Sequence, residues 1–134
     1  MAVFDYGIIY ERELINLLQV NKGGIVMSEG MKQYRGKVYH ELLQQAGFSV
    51  AYDGEMKEGK PEGFGRAYYR DGRIYEGNWK DGQYHGQGCQ YYPNLQLWYE
   101  GEYNNGKREG FGRSYFEDGK LSFEGQWKDG KPVK

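Results

Sequence analysis

Tyr75-Glu76-Gly77-Asn78-Trp79-Lys80-Asp81-Gly82-Gln83-Tyr84-His85-Gly86-Gln87-Gly88 is the stretch that decides the fold of this chain. At its centre stands Asp81-Gly82, flanked by segments that alternate in character. A two-residue type I′ turn needs positive φ at both central positions, which Asp-Gly tolerates, so the pair predicts a β-hairpin. Counting outward sets Trp79 opposite Tyr84, Gly77 opposite Gly86 and Tyr75 opposite Gly88. Side chains alternate along a strand, so Tyr75, Gly77 and Trp79 share one face while Glu76 and Asn78 take the other.

The hairpin recurs. Tyr52-Asp53-Gly54, Tyr75-Glu76-Gly77, Tyr99-Glu100-Gly101 and Phe123-Glu124-Gly125 follow one another at intervals of 23, 24 and 24 residues. Glu58-Gly59, Asp81-Gly82, Asn105-Gly106 and Asp129-Gly130 keep the same register, and so do Gly63-x-Gly65, Gly86-x-Gly88 and Gly110-x-Gly112. The same count places Tyr52 opposite Gly65 and Tyr99 opposite Gly112. A glycine within a strand costs about 0.5–1 kcal/mol against alanine. We therefore read Gly54, Gly63, Gly65, Gly77, Gly86, Gly88, Gly101, Gly110, Gly112 and Gly125 as structural, leaving room for rings. Between hairpins, Arg70-Asp71-Gly72 suits a three-residue bulged turn with Gly72 left-handed. The connections around Pro93-Asn94 and Glu117-Asp118-Gly119-Lys120 carry one more residue, and Asn94-Leu95 predicts a wider loop.

The pattern Y-E-G-x-W-x-D-G-x-x-x-G-x-G, as it stands from Tyr75 to Gly88, resembles the MORN (membrane occupation and recognition nexus) repeat family. The resemblance implies an elongated, twisted antiparallel meander with a groove lined by aromatics. It also implies a scaffolding role, in which such repeats hold proteins together, dimerise or tether enzymes; lipid binding has been proposed for them. Met56 and Tyr103 stand where the family has Trp, Gln87 interrupts a Gly-x-Gly, and the last unit is incomplete. The fold expected is mainly β: a single-layer twisted antiparallel meander of about seven strands, with units starting at Tyr52, Tyr75, Tyr99 and, in part, Phe123. The sheet is expected over residues 48–131, a helical segment over 1–47 and a tail over 132–134.

Composition divides the chain at the same place. Residues 1–50 hold 14 of the 19 Leu, Ile and Val, whereas residues 51–134 hold 16 of the 22 Gly and 10 of the 14 Tyr. The second part must bury rings, because it lacks aliphatics. In the first part, Leu14, Ile15, Leu17 and Leu18, with Ile8 one turn earlier, predict a helix over Glu11 to Val20 ended by Asn21-Lys22-Gly23-Gly24. A second helix is expected within Ser28 to Ala46, with Gly47 after its end. Two amphipathic helices would cap the first hairpin or fold across its aromatic face.

A formal charge of −1 offers no field for nucleic acid. The single cysteine, Cys89, and the missing secretory and membrane-spanning patterns lead us to expect a cytoplasmic protein, with peripheral membrane attachment as the alternative. No catalytic, cofactor or metal motif is present, and no enzymatic activity is expected. His40-Glu41 lacks the second His of a zinc helix, with Gln44 in its place, and His85 and Cys89 are too far apart along a strand to meet. The candidate partner-binding groove is Tyr52, Tyr75, Trp79, Tyr84, Tyr99, Tyr103, Phe123 and Trp127. These rings serve either as the core of each repeat alone or as core and contact surface together. The partner would be another protein, or a second copy pairing with the edge strand near Phe123 to Lys128. Weak binding to anionic lipid through Lys57, Lys60, Lys80, Lys107, Arg108, Lys128 and Lys131 is the alternative. A third reading makes the chain an accessory subunit of an enzyme encoded elsewhere.

Overall fold

The computed structural model describes residues 8–10, 43–44 and 47–134. Among the described residues nine strands make one sheet in chain order: β1 (Ile8–Tyr10), β2 (Val50–Lys57), β3 (Lys60–Tyr69), β4 (Ile74–Lys80), β5 (Gln83–Tyr91), β6 (Leu97–Asn104), β7 (Lys107–Tyr115), β8 (Leu121–Lys128) and β9 (Lys131–Pro132). From β2 to β9 every neighbouring pair is antiparallel. β1 runs parallel to β2, so Ile8 belongs to a strand and not to the stripe of a helix. The helices expected within 11–20 and 28–46 lie outside the described residues, apart from Leu43 and Gln44. These two are helical, and the N–H groups of Gly47 and Phe48 close the turn on the Leu43 carbonyl at 2.9 and 3.2 Å. Pro132, assigned by sequence to a tail, pairs with Trp127.

Each turn follows its chemistry. Asp81 and Gly82 have φ of 50° and 81°, the left-handed pair that a type I′ turn requires, and the other three hairpins repeat it. Trp79 faces Tyr84 as expected, but the outward count then slips. Gly77 pairs with Gly88, not Gly86, and Tyr75 with Gln90, not Gly88. In the same way Tyr52 pairs with Ala67 and Tyr99 with Ser114. The cause is a bulge: three residues of β4, Gly77 to Trp79, span five of β5, Tyr84 to Gly88. Gly86, at φ 72°, makes it possible, as Gly63 and Gly110 do in their units at 84° and 80°.

The slip leaves ring and glycine together by a diagonal route. Tyr75 leans along its strand until its ring covers Gly88, where an added Cβ would lie 2.6 Å from two ring carbons. Tyr52 covers Gly65 and Tyr99 covers Gly112 in the same way. Each hydroxyl then reaches a carbonyl three residues on, Glu55, Asn78 or Glu102, at 2.6, 2.7 and 3.0 Å. The bulge itself is closed by side chains. The N–H of Phe64 donates to Glu55 Oε2 at 2.6 Å, and that of Phe111 to Glu102 Oε2 at 2.9 Å.

Successive hairpins are stitched at the turns. Gly82, Gly106 and Gly130 donate their N–H to the carbonyls of Pro61, Tyr84 and Arg108 in the preceding unit, at 2.9, 2.9 and 3.0 Å. The connections between units keep one design. Arg70-Asp71-Gly72, Pro93-Asn94-Leu95 and Glu117-Asp118-Gly119 are all three-residue turns, with φ of 98°, 72° and 92° at Gly72, Leu95 and Gly119. The wider loop expected at Asn94-Leu95 does not form. The extra residue of the 24-residue units sits instead as a bulge in the strand, at Trp98 and at Ser122.

Gly88→Val is expected to destabilise by about 3 kcal/mol or more, because overpacking typically costs about 1–3 kcal/mol and here the clash is with a fixed ring. Gly82→Asn should stay within about 1 kcal/mol, since nothing lies within 4 Å of a Cβ there and Asn tolerates left-handed backbone. Chemical denaturation of the two variants decides it; equal midpoints would overturn the ring-over-glycine packing.

Candidate functional site

The sheet has two unlike faces. On one, Tyr52, Tyr75, Trp79, Tyr99, Tyr103 and Trp127 are buried, at 0–6% exposure, with Val50, Tyr69, Tyr84 and Phe123 packed against them. The rings meet mostly edge to face: Tyr75 touches Trp79 at 5.1 Å and Tyr103 at 5.3 Å, while Tyr84 stacks flat on Tyr75, at 3.7 Å. Such pairs add about 0.5–1.5 kcal/mol each beyond area burial. The indole N–H of Trp79 donates to the Gly65 carbonyl at 3.0 Å, and that of Trp127 to Gly112 at 3.1 Å. Tyr103 takes the tryptophan position of its unit, and its buried hydroxyl meets the Arg108 guanidinium in place of a backbone carbonyl. All eight residues of the candidate groove thus share one face. Six of them are core, and Tyr84 and Phe123 are its half-buried members.

Burial makes these phenols poor acids. Loss of solvent, partly offset by the nearby Arg108 charge, pushes the Tyr99 hydroxyl up to about 12. Burial drives Tyr75, Tyr84 and Tyr103 upward as well.

Arg108 departs from its sequence grouping. The turn lysines Lys57, Lys60, Lys80, Lys107, Lys128 and Lys131 are exposed, interleaved with Glu58, Asp81 and Asp129. Arg108 instead turns onto the aromatic face, with its guanidinium carbon 4.5 Å from the ring of Tyr99, 4.9 Å from Trp98 and 5.2 Å from Trp127.

The opposite face is floored by glycine. Gly77, Gly88 and Gly101 lie side by side, and Phe64 and Phe111 stand over them as walls, 52% and 43% exposed. Between the walls is a shallow depression of about 500 Å³ whose remaining lining includes Glu76, Cys89, Glu100 and Glu102. Across this face runs a row of facing residues: Asp53, Arg66, Glu76, Cys89, Glu100, Arg113 and Glu124. Arg66 pairs with Glu76, and Arg113 with Glu124 and, at 3.8 Å, with Glu100. Cys89 occupies the central cation position of that row. Burial first, then the charges of Glu100 and Glu76, push its thiol up, so it stays protonated and is a poor nucleophile. Among the described residues no group of three or more His, Cys, Asp or Glu is placed to hold a metal ion. Among them, too, no helix is long and apolar enough to cross a membrane.

Phe64 and Phe111 were legible as the middle residues of two Gly-x-Gly signatures, which alternation turns away from the rings. Trp98 was not, because a bulge breaks the alternation at that residue.

Restoring the missing cation should stabilise the sheet. Cys89→Arg is expected to add about 0.5–1 kcal/mol, the range for facing opposite charges on strands, measured by denaturation at low salt. A lower midpoint would mean that the row does not act as an ion ladder. Alkali tests the other face. The raised phenol values mean that stability is full below about pH 10 and falls as pH climbs from there towards about 12. Absorbance of tyrosinate should therefore rise in two stages, the later one together with loss of the β spectrum; a single stage near pH 10 would contradict the burial.

A comparison with curated proteins finds no match to the chain. The model of the MORN repeat matches residues 52–72, 75–95, 99–120 and 123–133, more than half of the sequence. Those four matches begin at Tyr52, Tyr75, Tyr99 and Phe123, the same residue of each hairpin, and the chain belongs to the MORN repeat family.

Proposed function

We propose that this chain is a non-catalytic scaffold that holds another protein, and that the partner lies along the glycine-floored face. Repeats of this family are commonly interaction modules for proteins or membranes. The observation that carries the reading is the pair of exposed phenylalanines, Phe64 and Phe111, held on rigid strands beside a depression. Aromatic side chains fixed by backbone on both sides contribute contact area at little entropy cost. Strand alternation sends no side chain from positions 77, 88 and 101 to this face, so a partner's backbone can come close. The rings of the other face, being buried, support the site by stiffening the strands that carry it.

Charge narrows the partner. Glu76, Glu100 and Glu102 border the depression, and Cys89 leaves open the position that Arg66 and Arg113 fill one unit away on either side. An extended segment with an arginine or lysine set between Glu76 and Glu100 completes the row, and its apolar neighbours meet the phenylalanines. A membrane surface fits less well, because the turn lysines are interleaved with acids.

The test compares proteins captured from native lysate by wild-type chain, Phe64→Ser/Phe111→Ser and Cys89→Arg. A specific partner should be lost at least tenfold in both variants while the β spectrum is kept and the melting point is not lowered, and its capture should weaken with salt. Equal capture by Cys89→Arg, which fills the position from within, would remove the basic-partner reading. Equal capture by the double phenylalanine variant would remove this face altogether.

A further inference from the structure

Arg108 is the one described arginine that lies over the core rings, and its surroundings do not neutralise it. Directly across from it stands Tyr103. The corresponding residues of the other hairpins are Pro61, Tyr84 and Pro132, facing Met56, Trp79 and Trp127. In its own unit Tyr84 stacks on Tyr75; Arg108 takes the same place over Tyr99. Rings alone would therefore fill this place as well, and a guanidinium brings a charge that the packing does not need.

The acceptor that the fold gives this charge is neutral. Nε and Nη2 both donate to Gln90 Oε1, at 3.1 and 2.9 Å. Arg66, Arg73 and Arg113 have carboxylate partners, and no ion pair among the described residues reaches Arg108. The Tyr103 hydroxyl opposite is buried and favours the charged guanidinium, but as a neutral group it does not cancel the charge. Burial, partly offset by Tyr103 and Tyr99, lowers the affinity of Arg108 for its proton, yet a guanidinium stays charged at neutral pH. Contact with three ring faces offsets part of the desolvation of such a cation. A carboxylate would offset far more, and a planar guanidinium with free N–H groups binds one by a two-point fork.

Beside the guanidinium lies a half-buried wall. Tyr92 and Trp98 are stacked at 5.0 Å with 22° between their planes, and Trp98 contacts Arg108 through the bulge that adds the extra residue to this unit. A cation recessed behind a two-ring wall is the arrangement that takes one acidic side chain, with the wall covering its methylenes or an apolar neighbour.

We propose that Arg108, with Trp98 and Tyr92, forms a receptor for a single aspartate or glutamate side chain of an extended acidic peptide, on the face opposite the phenylalanine depression. This site is separate from the basic-partner site, so either stands without the other. One recessed charge favours a peptide over a membrane, which needs several exposed cations side by side.

The experiment uses ¹⁵N-labelled full chain and follows the indole N–H signals of Trp98 and Trp127. The probe is a capped hexaglutamate peptide, with capped hexalysine as control and vesicles of phosphatidylserine in phosphatidylcholine as the lipid arm. Hexaglutamate should shift both signals saturably, hexalysine should not, and affinity should fall with salt. Arg108→Tyr, which borrows the residue of the preceding unit, should keep the melting point within a few degrees and weaken binding at least tenfold. Arg108→Met serves the same purpose if the tyrosine variant does not fold. Arg108→Lys should bind several-fold more weakly than wild type for want of the fork. Equal binding by the charge-free variants, no shift with hexaglutamate, or shifts with vesicles and not with peptide would each overturn the proposal.

Discussion

A tyrosine ring lying flat over a glycine on the next strand is the contact from which the rest of this molecule follows. The chain has too few aliphatic residues after position 50 to build a conventional core. It buries rings in a single layer instead, and a ring can lie against a sheet only where no Cβ stands in the way. Gly65, Gly88 and Gly112 supply that space for Tyr52, Tyr75 and Tyr99. Once the ring is down, its hydroxyl must find a partner, and the carbonyl exposed by the bulge is within reach. Packing and hydrogen bonding are thus satisfied by one side chain, which is why unit after unit can be stable with so little thickness.

The repeats act as controls on one another. Trp79 and Trp127 donate to the backbone of the preceding unit, whereas the Tyr103 hydroxyl finds no backbone acceptor there. Arg66 and Arg113 hold an alternating row of charge, whereas Cys89 interrupts it. Tyr84 fills the space over Tyr75 with a ring, whereas Arg108 fills the corresponding space with a cation. Leu95 holds the left-handed position that glycine holds at 72 and 119, where a branched aliphatic side chain gains nothing in stability. Tyr103 and Arg108 lie in the third unit, Leu95 in the turn that leads into it, and Cys89 on the strand beside it. The middle of the sheet is therefore where the chain differs most from its own pattern, and both proposed contacts lie there.

The two faces divide the work physically. The aromatic face supplies cohesion, with its accessible remainder at Tyr84, Phe123 and the Tyr92, Trp98 and Arg108 cluster. The glycine face packs Ala51 and Tyr68 at its first hairpin and is held by its ion row beyond that, so its middle can carry open backbone and exposed phenylalanines. The glycine face carries an alternating row of acids and arginines, and the aromatic face carries Arg108 over its rings.

The hairpins, their turns and the burial of rings beside glycine were readable in the residues alone, because each depends on neighbours within one or two strands. Asp-Gly pairs determine a turn locally, and glycines at every second position beside a repeated tyrosine leave a gap that a ring is the right size to fill. The pairing register was not readable past the first few residues. Two extra residues at Gly86, and one at Trp98, are decided by how a twisted sheet accommodates stacked rings, and a count outward from a turn cannot see an insertion that keeps every signature in step. The same holds for function. Sequence brought the rings into view, but only the folded sheet shows that they pack chiefly on one another, with Phe64 and Phe111 exposed on the other face and Arg108 drawn over the rings.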